Sequence, residues 1–123
     1  MKKQILLVDD KPTIAKIITY YLSENCDIIY KENPIEAFEW LKERNTLDLI
    51  ITDINMPIMR GDEFLQRLKS DEQLKAIPVI VLSSEDKANE RIKMFEYGAE
   101  DYIVKPFNPV EIKVRVFKIL SLL

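Results

Sequence analysis

The chain has 123 residues, 47% hydrophobic and 32% charged, which suits one water-borne domain with a buried core and excludes fibrous or disordered classes. Its 18 basic and 21 acidic side chains leave a formal charge of −3, without the basic footprint that direct nucleic-acid contact needs. The single cysteine, Cys26, excludes an internal disulfide and thiolate zinc clusters. The lack of any histidine excludes a Ser–His–Asp triad, a histidine metal site and a phosphohistidine within the chain.

Met1-Lys2-Lys3 leads straight into the apolar run Ile5-Leu6-Leu7-Val8. No secretory h-region precedes it, and no stretch approaches the roughly 20 apolar residues of a membrane span. The expectation is a cytoplasmic α/β protein with no membrane association, folded as one domain over residues 1–123. The first run predicts a strand. Ile14, Ile17, Ile18, Tyr21 and Leu22 then fall at helical spacing. Ile28-Ile29-Tyr30 predicts a second, weaker strand. Asn33, Pro34 and Glu36 form an N-cap, a first-turn proline and a reciprocal acid ahead of the stripe Ala37, Phe38 and Leu41. Residues 47–52 predict a third strand, and Phe64, Leu65 and Leu68 a third helix. Residues 78–82 predict a fourth strand. Ile92, Phe95 and Ala99 mark the apolar side of a fourth helix ending near Gly98. Tyr102-Ile103-Val104 predicts the fifth strand. Asn108, Pro109 and Glu111 repeat the capping pattern before Ile112, Val116, Ile119 and Leu120 of a fifth helix.

Five βα units with such apolar strands predict a doubly wound (βα)5 sandwich around a parallel five-stranded sheet, for which the flavodoxin-like order 2-1-3-4-5 is a common arrangement. Gly61 and Gly98 are the only glycines, so neither a dinucleotide fingerprint nor a P-loop is present.

The acids fall where such a sheet binds ligands. Asp9 and Asp10 follow the first strand and Asp53 follows the third. In that strand order the two strands are neighbours beside the topological switch, so three carboxylates converge. An all-oxygen acidic site suits a hard divalent cation such as Mg²⁺, with Mn²⁺ as an alternative. Ser83 and Lys105 end the fourth and fifth strands on the same side. A hydroxyl and an ammonium beside carboxylates make a phosphoryl-binding arrangement, in which Asp53 can be the nucleophile that forms an aspartyl phosphate.

With those residues in place the sequence resembles the receiver domain of two-component response regulators, the CheY-like superfamily, over essentially its whole length. The acidic pair reads Asp9-Asp10 and the phosphoacceptor segment Asp53-Ile54-Asn55-Met56-Pro57, with its turn glycine at Gly61. The hydroxyl residue is Ser83, the lysine motif Lys105-Pro106-Phe107 and the aromatic switch position Tyr102. The resemblance implies that Asp10, Asp53 and the Asn55 backbone carbonyl bind the metal, with Asp9 acting through water. It implies a cis Lys105–Pro106 bond, a small gate residue at Ser84, and modulation of dephosphorylating water by Asn55 and Glu85. It also implies a switch in which Ser83 turns to the phosphoryl group and Tyr102 responds.

The implied function is a signalling switch, phosphorylated by a histidine kinase or phosphotransfer protein, that supports its own Mg²⁺-dependent phosphorylation and dephosphorylation without being a conventional turnover enzyme. The changing face comprises the fourth helix, fifth strand and fifth helix. Arg91, Asp101, Glu111 and Arg115 resemble charges that pair across homodimers there, around Phe95, Val116 and Phe117. The connection from Lys69 to Pro78 instead resembles receivers of stand-alone, cyclase-linked and kinase-linked types. Two alternatives stand beside this reading. One is a phosphorylation-independent binding module on the same scaffold. The other is a Mg²⁺-dependent aspartyl-phosphate phosphatase, disfavoured because Asn55 stands where an acid is needed.

Overall fold

The computed structural model describes residues 2–43 and 46–123, so Met1 of the N-terminal lead lies outside the described residues. The elements alternate as β1 (Lys3–Val8), α1 (Pro12–Leu22), β2 (Cys26–Lys31), α2 (Pro34–Leu41), β3 (Leu49–Asp53), α3 (Gly61–Ser70), β4 (Val79–Ser83), α4 (Ala88–Glu96), β5 (Asp101–Val104) and α5 (Pro109–Ile119). All strand pairs are parallel, in the order β2-β1-β3-β4-β5. No helix among the described residues is long and apolar enough to cross a membrane.

Side chains alternate across a strand, so each central strand feeds two cores. Leu6, Val8 and Ile50 pack with Ala37, Phe64, Leu65, Leu68 and Met94 under α2, α3 and α4. Ile5, Leu7, Leu49 and Ile51 pack with Ala15, Ile18, Leu22, Ile112 and Val116 under α1 and α5. Burial on both faces explains why β3 and β4 read as continuous apolar runs. β3 starts at Leu49 rather than 47, because the Asp48 side chain accepts the Gln4 N–H at 2.8 Å as the sheet begins.

The caps follow the sequence with one difference. Asn33 Oδ1 accepts the Glu36 N–H at 3.0 Å, and Asn33 Nδ2 donates to Glu36 Oε2 at 2.8 Å. At α5, Asn108 accepts instead from Val110 N–H at 2.9 Å, and Glu111 turns to Arg115. Gly98, at φ +106°, ends α4: its N–H donates to Phe95 O and the Ala99 N–H to Met94 O, both at 3.0 Å, which needs a left-handed residue at that place. The Lys69 side chain packs beside Gly98, and its ammonium donates to Lys75 O and Ile77 O, closing the connection into β4.

Three helix faces differ from expectation. Ile17 on α1 is exposed, with Ala15 in the core in its place. On α4, Met94 is the buried residue, while Ile92 and Phe95 are 54% and 45% exposed. On α5, Val116 is fully buried and Phe117 packs partly on the core, so neither supplies the centre of an exposed surface.

Candidate functional site

The register of the sheet assembles the site. Val8 pairs with Thr52, Asp53 with Leu82 and Ser83 with Val104. Asp9, Asp53, Ser83 and Lys105 therefore emerge along one edge, at the carboxyl ends of four adjacent strands. The Ile54 N–H donates to Leu82 O at 3.1 Å and the Lys105 N–H to Ser83 O at 2.7 Å, which extends the ladder past the strand ends.

Asp9, Asp10 and Asp53 each offer a carboxylate oxygen, and these atoms lie within 4.8 Å of one another. Asp9 is fully buried, and its Oδ1 accepts the Lys11 N–H at 2.9 Å. Its backbone carbonyl accepts from the Tyr30 hydroxyl at 2.7 Å. Lys105 Nζ stands 3.1 Å from Asp9 Oδ2 and 3.2 Å from Asp53 Oδ1. Burial pushes the Asp9 carboxyl above its ordinary range, and neighbouring Asp53 adds to the rise. The Lys11 N–H and Lys105 offset part of it.

Asp53, 2% exposed, has one oxygen engaged and one free. Oδ1 accepts the Ile54 N–H at 2.9 Å. Oδ2, like Asp10 Oδ1, is buried without a hydrogen-bond partner. Leaving two buried anionic oxygens unsatisfied costs free energy. Hard divalent cations take such oxygens as ligands, so the donor set fits a metal site.

Gly61 places α3 against this centre. Its N–H donates to Ile54 O at 2.8 Å, and a Cβ on it would overlap the Asp53 carbonyl oxygen. Between them Ile58, 75% exposed, adopts φ +75°, and the Met59 N–H donates to Pro57 O at 2.8 Å. That is a γ-turn centred on a β-branched residue.

Ser83 is buried, and its hydroxyl is held by the Glu85 backbone: it accepts the Glu85 N–H at 3.0 Å and faces Glu85 O at 3.3 Å. Tyr102 is also buried. Its hydroxyl donates to the same Glu85 carbonyl at 2.8 Å, with Glu90 Oε2 at 3.4 Å. Burial raises the Tyr102 phenol above its usual value. Ser84 and the side chains of Asn55 and Glu85 are exposed. Asn55 Oδ1 accepts from Arg60 at 3.2 Å, and Glu85 pairs with Lys87 at 3.3 Å. The Lys105–Pro106 bond is cis.

The structure thus draws Asp9, Asp10, Asp53 and Lys105 into one cluster, with Ser83 and Tyr102 joined through the Glu85 carbonyl. Lys11, Tyr30 and Arg60 were not anticipated from sequence. Lys11 had a signal, since it adjoins the acid pair. Tyr30 reaches Asp9 only because β2 lies against β1, and no sequence pattern reports that.

The family described as the response regulator receiver domain matches residues 5–117. The chain is 36% identical over 121 residues to hybrid signal transduction histidine kinase D of Dictyostelium discoideum, covering 98% of this chain but 8% of that protein. It is 35% identical over 120 residues to chemotaxis protein CheY1 of Helicobacter pylori, covering 96% of this chain and 97% of CheY1. The structure of the chemotaxis response regulator CheY4 of Vibrio cholerae superposes with a TM-score of 0.89 at 27% identity, covering 98% of this chain and all of that one.

Proposed function

The chain belongs to the response regulator receiver domain family, and from that premise we propose that Asp53 is its phosphoacceptor, charged by a histidine kinase or phosphotransfer protein. The observation that carries this reading is the Asp53 carboxylate itself. It is buried among two further acids and a lysine, with one oxygen pinned and the other unbonded.

A carboxylate oxygen of Asp53 forms the new O–P bond as the P–N bond of the donor's phosphohistidine breaks. The departing imidazole nitrogen keeps the electron pair and takes a proton. The Ile54 N–H and Lys105 hold the carboxylate in place beforehand. Once the phosphoryl group is attached, Lys105 has a new anionic oxygen within its reach. Asp10, Asp53 and the Asn55 carbonyl would hold Mg²⁺, or Mn²⁺, with Asp9 acting through water. That cation supplies neutralisation of the phosphoryl oxygens. Asn55 and Glu85 border the pocket and orient the water that later hydrolyses the acyl phosphate. Ser84, a small residue at the gate, keeps the phosphoryl pocket accessible. Asn55, held by Arg60, is no general acid, so turnover of external phosphate esters has no support in this site.

The response is a change of hydrogen-bond partner. Ser83 and Tyr102 share the Glu85 carbonyl. When Ser83 turns to donate to a phosphoryl oxygen, that carbonyl is left to Tyr102 alone, which fixes the ring and the segment leading into α4. The face formed by α4, β5 and α5 is then the output surface for a partner or a second copy. On α4 its exposed apolar side chains are Ile92 and Phe95. Arg115 is engaged within its own chain, to Asp101 at 2.8 Å and Glu111 at 2.9 Å, and Arg91 to Asp86 at 2.7 Å. A homodimer would therefore exchange existing pairs rather than gain new ones.

The test is intact mass after incubation with phosphoramidate. One phosphoryl group is expected with Mg²⁺ and none in EDTA. Asp10→Asn should fold normally and lose the metal dependence together with the labelling. Labelling that proceeds equally in EDTA would refute the site as described.

A further inference from the structure

The mouth of the acid cluster carries a second lysine that the chemistry above does not use. The Lys11 backbone N–H donates to Asp9 Oδ1, and its ammonium stands 3.5 Å from Asp10 Oδ1. That oxygen is buried and accepts no hydrogen bond. Lys11 is its ion-pair partner, and among the described residues no other cation pairs with Asp10. Lys105 engages Asp9 Oδ2 and Asp53 Oδ1. Three carboxylates thus meet two ammoniums.

The two lysines differ in freedom. The Lys105 side chain is 12% exposed and that of Lys11 is 56% exposed. Lys11 sits at the start of α1 on a flexible stem and can swing into water by giving up one screened contact.

We propose that Lys11 is a tethered counter-ion of the metal-free site, neutralising Asp10 until a divalent cation displaces it and so setting the metal concentration at which the site fills. This rests on the reading of Asp10 as a metal ligand. A divalent cation on Asp10 repels an ammonium at that range, so the ammonium must leave. Whatever attraction stabilised the empty site is subtracted from metal affinity by linkage. Lys16, exposed on the same helix, makes none of these contacts and controls for the loss of one positive charge.

The experiment titrates Mn²⁺ by electron paramagnetic resonance at low ionic strength into the wild type, Lys11→Met and Lys16→Met. Urea unfolding of all three is run in EDTA. Lys11→Met should bind Mn²⁺ about two- to fivefold tighter, as an exposed ion pair allows. The gap should close at about 1 M salt, where the screening length is about 3 Å. In EDTA, Lys11→Met should unfold at lower urea than Lys16→Met. Equal or weaker Mn²⁺ binding by Lys11→Met overturns the proposal. So does slower phosphorylation at unchanged Mn²⁺ affinity, which would assign Lys11 to the donor's negative charge. If the wild type binds no Mn²⁺, the metal reading itself fails. The EDTA arm then still decides: equal stability of the two variants overturns the counter-ion role.

Discussion

Replacing Gly61 with alanine sets two effects of known size against each other. Alanine at the start of α3 should help: it restricts the unfolded chain and is worth about 0.5–1 kcal/mol where the backbone accepts it. The structure opposes this. The new Cβ would overlap the Asp53 carbonyl oxygen and lie 2.7 Å from Ile54 Cα and 3.0 Å from the Asp53 carbonyl carbon. All three are backbone atoms, so no side chain can rotate away. β3 cannot retreat easily either, since it is hydrogen-bonded to β1 and β4 on its two sides. Gly61 is further tied down by its N–H bond to Ile54 O. Overpacking of this kind costs about 1–3 kcal/mol. Subtracting the propensity gain leaves about 0–2.5 kcal/mol, and because every overlapped atom is backbone, Gly61→Ala should fall in the upper half of that range. Urea unfolding followed by far-UV circular dichroism measures it, and an unchanged m value assigns the loss to stability. Because the clash falls on the peptide of Asp53, the proposed phosphoacceptor, phosphoramidate labelling should slow as well. An alanine variant as stable as the wild type, or more so, would refute the close-approach argument and leave helix propensity as the deciding effect.

Other consequences follow from the same geometry. Burial raises the Asp9 carboxyl above its ordinary 3.8, so the folded state holds that proton more tightly than the unfolded chain. Stability contributed by Asp9 is then present below 3.8 and lost as pH rises through the raised folded value. In EDTA, Asp9→Asn should be the more stable protein at neutral pH, and urea unfolding repeated below 3.8 should show the advantage gone. Ile58 holds a left-handed backbone that disfavours β-branched residues. Ile58→Asn should therefore stabilise by about 1 kcal/mol, read as a higher urea midpoint. Sedimentation of the Mg²⁺–beryllofluoride form against the apo form should show self-association only in the former. Two monomeric profiles at high micromolar concentration would remove the homodimer, and Phe95→Ala weakening association would place it on α4.

The sheet was legible because its physics is local. Strands buried on both faces must be apolar along their length, and Asn33, Asn108 and Gly98 announce helix ends by side-chain or backbone chemistry. The acids were legible because a carboxylate directly after such a strand has nowhere to go but the sheet's edge. Helix faces were harder. Around α4, Ile92, Phe95 and Ala99 keep helical spacing, yet Met94 faces the sheet. The spacing of one stripe cannot say which of two apolar sides meets the core. Only the position of the helix over β4 and β5 does. Val116 shows the converse: it continues the Ile112 stripe into the core instead of facing outward for a dimer. Arg115 resembles a residue that pairs across a dimer, but Glu111 lies one helical turn away and the fold brings Asp101, fourteen residues earlier, beside α5. The close approach at Gly61 and the reach of Tyr30 to Asp9 depend on backbone packing and register, which a sequence does not display, whereas Lys11 is marked only by its place beside the acid pair.

If Asp53 alone carries the phosphoryl group, chemical mapping of the acyl phosphate will locate it there. The chain is labelled with phosphoramidate and Mg²⁺, reduced with borohydride, digested and sequenced by mass spectrometry, alongside Asp53→Asn. Reduction converts an acyl phosphate to the alcohol and so marks its position permanently. The mark is expected at residue 53 alone and is absent from Asp53→Asn. A mark at Asp9 or Asp10, or equal labelling of Asp53→Asn, would contradict it.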